Sequence, residues 1–416
     1  MNKILLVCYS FPPNPGVGGR RWAKFAKYLA KSGHYLEVIN AKLTTKELST
    51  WSKDAQLLHE KNHVHSLPTS YPEIIKKIPK TLFQKIQYRL SLEYLKLKVK
   101  GNLYDKSSLW HLNLIPFVQK KLNEGFDTII CTAAPFHYLG EVAQLKVKFS
   151  SVNFIADFRD PWANNRISYG ISDLNQKRLH EEKHLESSVF ERFDYLICVD
   201  TIHETYIKGL NINPNKIKVV PNGFDPEDFT NIDTEKKQDS RINIVFAGSL
   251  YSKALSHLEA LYKVLLGNEY LKQEFVFNFY GSIPKEAHYL FENSALQSTL
   301  IFHGKVPLKE VGEKIVTSDL AMLFLTDDLN YTKSTKFYEY IHLRKKIAVF
   351  SKYGELNKYV EDKGIGYSIE PASIAEALIK IKKDCLENNL TIPKDYTFSD
   401  YSIPNISKSL LSIIKQ

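Results

Sequence analysis

Two adjacent glycines followed by two arginines stand near the start of the chain, between an apolar run and a segment of helical spacing. Gly18 and Gly19 precede Arg20 and Arg21, and the apolar run ends at Cys8. Glycine lets backbone N–H groups approach an anion, and the arginine side chains add positive charge. The loop therefore indicates an anion-binding site, with a tight turn that binds no ligand as the alternative.

A dense group of functional side chains follows a predicted strand later in the first half of the chain. The segment DFRDPW, from Asp157 to Trp162, contains two carboxylates, the Arg159 guanidinium and an indole. Another predicted strand ends just before His137, which brings an imidazole to the same edge of the sheet. We predict that His137, Asp157 and Arg159 belong to a catalytic site. A structural ion pair between Asp157 and Arg159 is the alternative.

The most informative segment of the second half combines a helix start with a cation and a carboxylate. Ser334 or Thr335 is a suitable N-cap residue, and Lys336 lies beside it. The free N–H groups and the dipole of a helix start favour a diphosphate. Glu339 lies one turn further on, where its carboxylate can accept hydrogen bonds from two ribose hydroxyls. The alternative is that Glu339 lies on a solvated face.

The composition of the 416-residue chain indicates two globular domains and excludes several classes of protein. Hydrophobic residues make up 44 % and charged residues 25 %, which excludes a disordered, collagen-like or low-complexity chain. The longest apolar runs, at Ile4 to Cys8 and Leu320 to Leu325, are too short to cross a membrane. The four cysteines form no CxxC pair, so we expect reduced thiols, no zinc site and a cytoplasmic protein.

Short apolar runs alternate with longer segments of helical spacing along the whole chain. This alternation predicts βαβ units with parallel sheets, which bind ligands outside the carboxyl ends of their strands. The pattern restarts after the polar stretch TNIDTEKKQDSR, which we interpret as a linker. The predicted organisation is an N-terminal domain of residues 1–229, a linker of residues 230–241, a C-terminal domain of residues 242–395, and a final helix within residues 396–416 that packs back on the N-terminal domain.

Basic residues outnumber acidic residues by 56 to 46, and the excess is concentrated in one segment. Eight basic residues and a single acid, Glu93, lie between Lys76 and Lys100. The helix predicted there carries four apolar side chains on one face: Leu82, Phe83, Ile86 and Leu90. A basic amphipathic helix is typical of proteins on an anionic membrane surface, and an ordinary surface helix is the alternative. Nucleic acid is not an expected partner, because the sequence has no RNP, KH, zinc-finger or helix-turn-helix motif.

Together these segments resemble the GT-B glycosyltransferases, and specifically glycosyltransferase family four, over nearly the whole chain. The resemblance is carried by Gly18-Gly19, Asp157 to Trp162, Lys218 to Asp225, Phe246 to Gly248, Ser318 to Leu320, and Ser334-Thr335-Lys336 leading to Glu339. It implies an α/β fold with two Rossmann-like, doubly wound domains that face each other across a cleft.

The resemblance also implies roles for individual residues. The C-terminal domain would hold a nucleotide-sugar donor, and the N-terminal domain would hold the acceptor. Glu339 would bind the ribose, and Lys336 would bind the diphosphate with the amides near Ser334 and Thr335. His137 would lie beside the transferred sugar, in a retaining reaction. The remaining donor-binding residues that the resemblance implies are Gly18, Gly19, Gly248, Ser249 and Lys253.

Two places depart from the pattern of the family. Tyr331 stands where the family has the first of two glutamates, and Asp327 or Asp328 is the candidate to substitute for it. Gly248-Ser249-Leu250 replaces the usual Gly-Arg-Leu, and Lys253 comes one position early. The sequence has no Asp-x-Asp motif, and N–H groups with Lys and Arg can stabilise a departing diphosphate. No metal ion or other cofactor is therefore expected.

These observations predict a glycosyltransferase that moves a sugar from a nucleotide-sugar donor to a lipid-linked or saccharide acceptor. The predicted context is cell-surface polysaccharide biosynthesis, with a peripheral position on the inner face of the cell membrane. Two alternatives stay open. One is a sugar-nucleotide epimerase on the same fold, and the other is a non-catalytic GT-B subunit that binds a partner or a membrane. Tyr331 and Ser249 favour the non-catalytic subunit.

Overall fold

The computed structural model describes residues 2–43, 49–165, 170–210, 212–235 and 240–414, which form two compact units. The first unit contains the chain up to Pro221 together with its end from Ile406. The second unit is Asn222–Asn405. The division thus lies at Pro221, whereas the sequence placed the end of the first domain at residue 229. Part of the predicted linker, residues 236–239, lies outside the described residues.

The first unit is built on a parallel sheet of seven strands. They are β1 (Lys3–Val7), β2 (Tyr35–Ala41), β3 (Val64–Leu67), β4 (Thr128–Ala133), β5 (Asn153–Phe158), β6 (Tyr195–Cys198) and β7 (Ile217–Val219). Their order is β3-β2-β1-β4-β5-β6-β7. The residues of β4 are all buried, because helices cover both faces of a parallel sheet, and this is why β4 reads as a continuous apolar run.

Up to Pro221, the described residues of the first unit form seven α-helices. They are α1 (Arg20–Lys31), α2 (Gln56–Glu60), α3 (Leu82–Lys98), α4 (His111–Asn123), α5 (His137–Gln144), α6 (Gln176–Arg192) and α7 (Thr201–Gly209). The core between the sheet and the helices contains large aromatic side chains, among them Trp110, Tyr138 and Trp162. Helix α3 begins at a capping box, in which the Thr81 side chain accepts from the Gln84 N–H group at 3.2 Å.

The second unit repeats the architecture with six parallel strands. They are β8 (Ile242–Ser249), β9 (Phe275–Ser282), β10 (Leu300–Gly304), β11 (Leu320–Phe324), β12 (Ile347–Phe350) and β13 (Gly366–Ile369). Their order is β10-β9-β8-β11-β12-β13. Its helices are α8 (Leu255–Leu266), α9 (Glu269–Glu274), α10 (Tyr289–Glu292), α11 (Leu308–Thr317), α12 (Thr335–His342), α13 (Glu355–Asp362) and α14 (Ile374–Leu386). The prediction of two Rossmann-like, doubly wound domains is therefore confirmed.

The last helix, α15 (Ile403–Ile414), carries the end of the chain into the first unit. Side-chain amides of that unit bond to its carboxyl end. The Asn2 amide donates to the carbonyl of Ile414 at 3.4 Å, and the Asn153 amide donates to the carbonyl of Ile413 at 3.5 Å. These bonds satisfy carbonyl groups that a helix end leaves without intrahelical partners.

Among the described residues, no helix has both the length and the apolar character needed to cross a membrane. All four cysteines lie in the described part of the chain, and none of them forms a disulfide. Burial raises the pKa of the Cys8 thiol, and that of Cys198, to about 12. These two thiols are therefore protonated at neutral pH and serve as packing groups.

Candidate functional site

In each unit the strand order reverses once, between β1 and β4 in the first unit and between β8 and β11 in the second. A parallel sheet binds its ligands at this reversal, outside the carboxyl ends of the strands. The predicted residues of the first unit lie after β1 and β4 and at the end of β5. Those of the second unit lie after β8 and on α12, which follows β11.

His137 is the first residue of α5, and it is held by a buried carboxylate. Its Nε2 lies 2.8 Å from Oε2 of Glu182, a completely buried residue of α6. Burial lowers the pKa of His137, but the carboxylates of Glu182 and Asp105 outweigh this effect and raise the pKa to about 9. The imidazole is therefore positively charged at neutral pH.

Side chains from the loop before α4 satisfy the start of α5. Oδ2 of Asp105 accepts from the N–H groups of Phe136, at 2.7 Å, and His137, at 3.3 Å. Oγ of Ser107 accepts from the N–H group of Tyr138 at 3.2 Å. These bonds occupy the N–H groups that a helix start otherwise offers to an anion. The start of α5 is therefore closed by the protein itself.

Asp157, at the end of β5, forms an ion pair with Arg21. Its completely buried carboxylate accepts from Nη2 of Arg21 at 3.1 Å and from Nε1 of Trp22 at 2.6 Å. The alternative of a structural pair between Asp157 and Arg159 is therefore wrong. The correct partner comes from the first turn of α1, far away in the sequence, so local spacing gave no sign of it.

Arg159 contacts the diglycine loop directly. Its Nη1 donates to the carbonyl of Gly18 at 2.9 Å, and its Nε donates to the carbonyl of Ala133 at 3.2 Å. A Cβ at position 19 would lie 2.2 Å from the carbonyl oxygen of Ser10, so only glycine fits there. Arg159 thus joins the loops that follow β1, β4 and β5. A ligand role for Gly18 and Gly19 stays a prediction.

Gly248, near the end of β8, gives the Lys336 side chain room at the edge of the sheet. Its φ is +127°, and a Cβ there would lie 2.2 Å from Cε of Lys336. Nζ of Lys336 lies 3.5 Å from the carbonyl oxygen of Ser249 and 5.3 Å from the centre of the Phe246 ring. Burial lowers the pKa of Lys336, and the charge of Glu339 opposes this effect. The structure therefore brings the predicted residues Gly248, Ser249, Lys336 and Glu339 together.

The start of α12 presents polar groups that bond to nothing within the described residues. Ser334 is the N-cap residue, yet its side chain makes no cap hydrogen bond, and its Oγ is buried without a partner. The N–H groups of Thr335 and Lys336 likewise meet no acceptor in this part of the chain. A buried hydroxyl without a partner, as that of Ser334 is here, costs about 1–3 kcal/mol and is rare in folded proteins. This set of groups therefore indicates a ligand site.

The last predicted donor-site residue, Lys253, lies on the loop between β8 and α8. Ser249 ends β8 and is exposed, and Lys253 is exposed in the 3₁₀ turn Ser252–Ala254. Tyr331 is half-buried in the turn before α12. Tyr331, the position at which the resemblance to family four leads us to expect a glutamate, thus lies just before α12 and carries a phenol in place of a carboxylate.

Sequence reasoning missed a polar cluster that combines segments after β8, β11 and β12. Nε2 of the buried His257 lies 3.3 Å from Oδ1 of Asp327, and Oδ2 of Asp327 lies 2.7 Å from Nζ of Lys352. The hydrogen bond from Lys352 lowers the pKa of Asp327. Oγ1 of Thr326 is buried without a partner among the described residues. The side chain of Asp328, the other candidate substitute for the missing glutamate, lies outside those residues.

The sequence matches no protein-family model and no curated protein. Solved structures resemble the chain over its whole length. HepE from Anabaena, in complex with UDP and glucose, is 13 % identical with a TM-score of 0.62, and the match covers 100 % of both chains. WaaB, a lipopolysaccharide outer core galactosyltransferase, is 12 % identical with a TM-score of 0.59, and the match covers 99 % of both chains.

A third similar structure, from Listeria monocytogenes, is described as a UDP-N-acetylglucosamine 2-epimerase. It is 10 % identical with a TM-score of 0.56, and the match covers 100 % of this chain and 96 % of that chain. At such identities the similarity shows the fold. The chain has the fold of these GT-B proteins, with two Rossmann-like domains on parallel sheets.

Proposed function

We propose that the chain is a glycosyltransferase whose second unit binds a nucleotide-sugar donor and whose first unit binds the acceptor. The observation that carries the proposal is the start of α12. Ser334 Oγ and the N–H groups of Thr335 and Lys336 have no partners within the described residues. Hydrogen-bond donors at a helix start next to a lysine suit a diphosphate. The UDP bound to HepE, a protein of the same fold, supports a nucleotide as the ligand.

The other predicted donor-site residues of the second unit lie close to the start of α12, and those of the first unit are considered separately. In the proposal, Glu339 binds the ribose hydroxyls one turn beyond the diphosphate. Gly248 leaves room for the Lys336 side chain, and Ser249 and Lys253 line the loop after β8. Gly18 and Gly19 let the backbone of the first unit approach a phosphate or a sugar.

The transfer needs a leaving diphosphate to be stabilised while positive charge builds up on the sugar ring. Preorganised N–H groups and the Lys336 ammonium supply that stabilisation, so the proposed reaction uses no metal ion or other cofactor. We place His137 beside the transferred sugar. Asp157 and Arg159 stay predicted members of the catalytic site, in which Arg21 and Trp22 hold the Asp157 carboxylate and Arg159 donates to the carbonyl of Gly18. The resemblance to family four supports retention of the anomeric configuration.

Helix α3 supports a lipid-linked acceptor, because its outer face fits a membrane surface. Large apolar side chains are exposed along it: Leu82, Phe83, Ile86, Leu90, Tyr94 and Leu97. At 100° per residue they share an arc of roughly 120°, which we call the α3 stripe. Leu95, on the opposite face, is completely buried against the first unit. The stripe therefore faces away from the protein.

Cations border the α3 stripe on both sides. The helical positions place Lys85, Arg89 and Lys96 along one border and Lys98 along the other. Each basic residue near an anionic leaflet contributes about 1 kcal/mol of binding, and buried apolar side chains add to this. We therefore propose a peripheral position on the inner face of the cell membrane, with a saccharide on a lipid carrier as acceptor and cell-surface polysaccharide as product.

Thermal unfolding in the presence of nucleotides tests the donor site. The wild type is screened with UDP, GDP, ADP, TDP and their common sugar conjugates, beside Glu339→Ala and the control Glu376→Ala, which changes an exposed residue of α14. A ligand at a hundred times its Kd stabilises the folded protein by about 2.7 kcal/mol. We expect one nucleotide family to stabilise the wild type and the control but not Glu339→Ala. No stabilisation of the wild type by any nucleotide would favour the non-catalytic subunit instead.

Sedimentation with lipid vesicles tests the membrane surface. We expect the wild type to bind vesicles that contain phosphatidylglycerol and to ignore vesicles of phosphatidylcholine alone. Replacing Phe83 and Leu90 by Ser should abolish binding, and so should reversing Lys76, Lys77, Lys80 and Lys85 to Glu. Leu112→Ser, which changes an exposed apolar residue of α4, is the matched control. Full binding by the stripe variant and by the charge variant would remove the membrane proposal.

The similar epimerase structure supports a second candidate, a sugar-nucleotide epimerase. An epimerase converts one sugar nucleotide into another without an acceptor. Incubation of the protein with the sugar nucleotide found in the thermal screen, without any acceptor, separates the two. Formation of a new sugar nucleotide of the same mass would favour the epimerase. A donor that stays unchanged without an acceptor, and is consumed once a lipid or saccharide acceptor is added, would support glycosyl transfer.

A further inference from the structure

We infer that Glu182 is a positioning residue that holds His137 by Nε2 and thereby presents the Nδ1–H group to a ligand as a hydrogen-bond donor. The inference deepens the proposed function, on which its ligand part rests. It assigns a role to a residue that lies 45 positions away from His137 in the sequence.

The carboxylate of Glu182 has a fixed orientation. Oε2 accepts from Nε2 of His137 and from the N–H group of Asn102, both at 2.8 Å. Oε1 accepts from Nε1 of Trp162 at 2.6 Å. Three donors from three different segments thus surround a completely buried carboxylate, so it cannot rotate without losing one of them. A fixed carboxylate in turn fixes the plane of the imidazole ring.

Three carboxylates near His137 favour the protonated ring. Glu182 faces it from α6, Asp105 faces it from the loop before α4, and Glu141 lies on its own helix. Burial alone lowers the pKa of His137, but these three carboxylates raise it to about 9. Both ring nitrogens therefore carry a proton at neutral pH.

The remaining nitrogen, Nδ1, is the one that can meet a ligand. It makes no hydrogen bond within the part of the chain that the structure describes, and His137 keeps 8 % of its surface exposed. A charged N–H donor strengthens a hydrogen bond to a sugar hydroxyl or a phosphate oxygen. A histidine–carboxylate pair can also work as a general base, as in the serine hydrolases, but that role requires a neutral ring.

The first arm of the test measures the protonation of His137 directly. The imidazole signals of the 15N-labelled protein are followed by NMR as a function of pH, and His137→Gln assigns them. We expect a pKa well above 6.5 in the wild type and a pKa that falls towards 6.5 in Glu182→Gln. Glu182→Asp, which keeps the charge, should restore part of the difference. Glu37→Gln is the matched control, because it changes another histidine–glutamate contact, that of His65.

The second arm compares UDP with UDP-glucose, or the corresponding pair from whichever nucleotide family the thermal screen identifies. In the wild type at pH 7.5 the sugar conjugate should bind more tightly than the free nucleotide. Loss of one charged hydrogen bond in Glu182→Gln should reduce that advantage by roughly tenfold or more while the affinity for the free nucleotide stays the same. Glu37→Gln should keep the advantage of the wild type.

Three results would overturn the inference. The first is an ordinary pKa of His137 in the wild type, a measurement that needs no ligand and uses His137→Gln only to assign the signals. The second is an unchanged pKa and an unchanged sugar advantage in folded Glu182→Gln. The third is sugar transfer that increases as pH rises through the range of the His137 titration, because that is the behaviour of a general base. If no nucleotide binds the wild type, the proposed function fails. The pKa of His137 measured by NMR still shows in that case whether Glu182 holds the imidazole in its protonated form.

Discussion

Helices α5 and α12 occupy equivalent places in two sheets that share the order of six strands, yet their starts differ. Each helix follows the strand next to the reversal of strand order, β4 in the first unit and β11 in the second. Asp105 and Ser107 bond to the first N–H groups of α5. The corresponding groups of α12, with the hydroxyl of Ser334, have no partner within the described residues.

The comparison shows how one fold can use the same position in two ways. In the first unit, charged side chains at the sheet edge are paired inside the protein, as His137 is with Glu182 and Asp157 is with Arg21. In the second unit, the hydroxyls of Thr326 and Ser334 at the edge are buried without a partner among the residues that the structure describes. Substitutions at the first edge should therefore cost stability, and substitutions at the second edge should cost ligand affinity.

The largest expected effect is that of Asp105→Ala on the stability of the first unit. The change leaves the N–H groups of Phe136 and His137 buried without an acceptor, at about 1–3 kcal/mol each. We expect the free energy of unfolding to fall by about 3 kcal/mol. Denaturant titration followed by tryptophan fluorescence measures it, because Trp22, Trp51, Trp110 and Trp162 all lie in this unit. A loss below 1 kcal/mol would mean that the start of α5 is not closed as described.

The next effect is a dependence of the first unit's stability on pH. The folded pKa of His137 is raised to about 9, against about 6.5 in the unfolded chain, so folding binds a proton between these values. The stabilisation is fully present below pH 6.5 and is lost as pH rises through 9, by about 3 kcal/mol. His137→Gln should flatten the curve in that window.

Glu186 provides an internal control for that measurement. Burial raises its pKa to about 7, so its contribution falls as pH rises from about 4.5 to 7, which is a lower window. Glu186→Gln should flatten only the lower window. A flat curve above pH 6.5 in the wild type would contradict the charge assigned to His137.

Gly248→Ala should have a smaller effect, and mainly on binding. A Cβ there meets Cε of Lys336, and a φ of +127° is strained for alanine, so Lys336 has to move away from the proposed diphosphate site. We expect nucleotide affinity to fall by roughly tenfold, which is about 1.4 kcal/mol. A double-mutant cycle with Lys336→Met checks the cause, because Gly248→Ala should cost less when the lysine is absent. Equal costs in both backgrounds would show that Lys336 is not the group displaced.

Ser334→Ala should have the smallest effect and is the closest counterpart of Asp105→Ala. No protein hydrogen bond is lost, because Oγ has no partner within the described residues. The free energy of unfolding should therefore change by less than about 0.5 kcal/mol or rise. Nucleotide affinity, measured by calorimetry, should fall by about threefold to tenfold. A clear loss of stability with unchanged affinity would remove the distinction between α5 and α12.

The fold could be predicted from the sequence because its signals are local. Buried parallel strands read as apolar runs, and the start of α12 combines a serine cap, a lysine and a glutamate within a few residues. The partners of the site residues could not be predicted. Arg21 and Asp157 are 136 positions apart, and the cluster of His257, Asp327 and Lys352 combines helix α8 with segments that follow β11 and β12. Such contacts are set by strand order, which leaves no fixed spacing in the sequence.

The α3 stripe also affects how the protein behaves without lipid. Contiguous exposed apolar patches drive copies of a protein to associate in water. Copies that cover each other's stripes cannot insert them into a bilayer, so self-association and vesicle binding compete. A mild detergent that covers the stripe should therefore raise the monomer fraction during purification. Under the membrane proposal, removing the detergent in the presence of vesicles should then lead to vesicle binding.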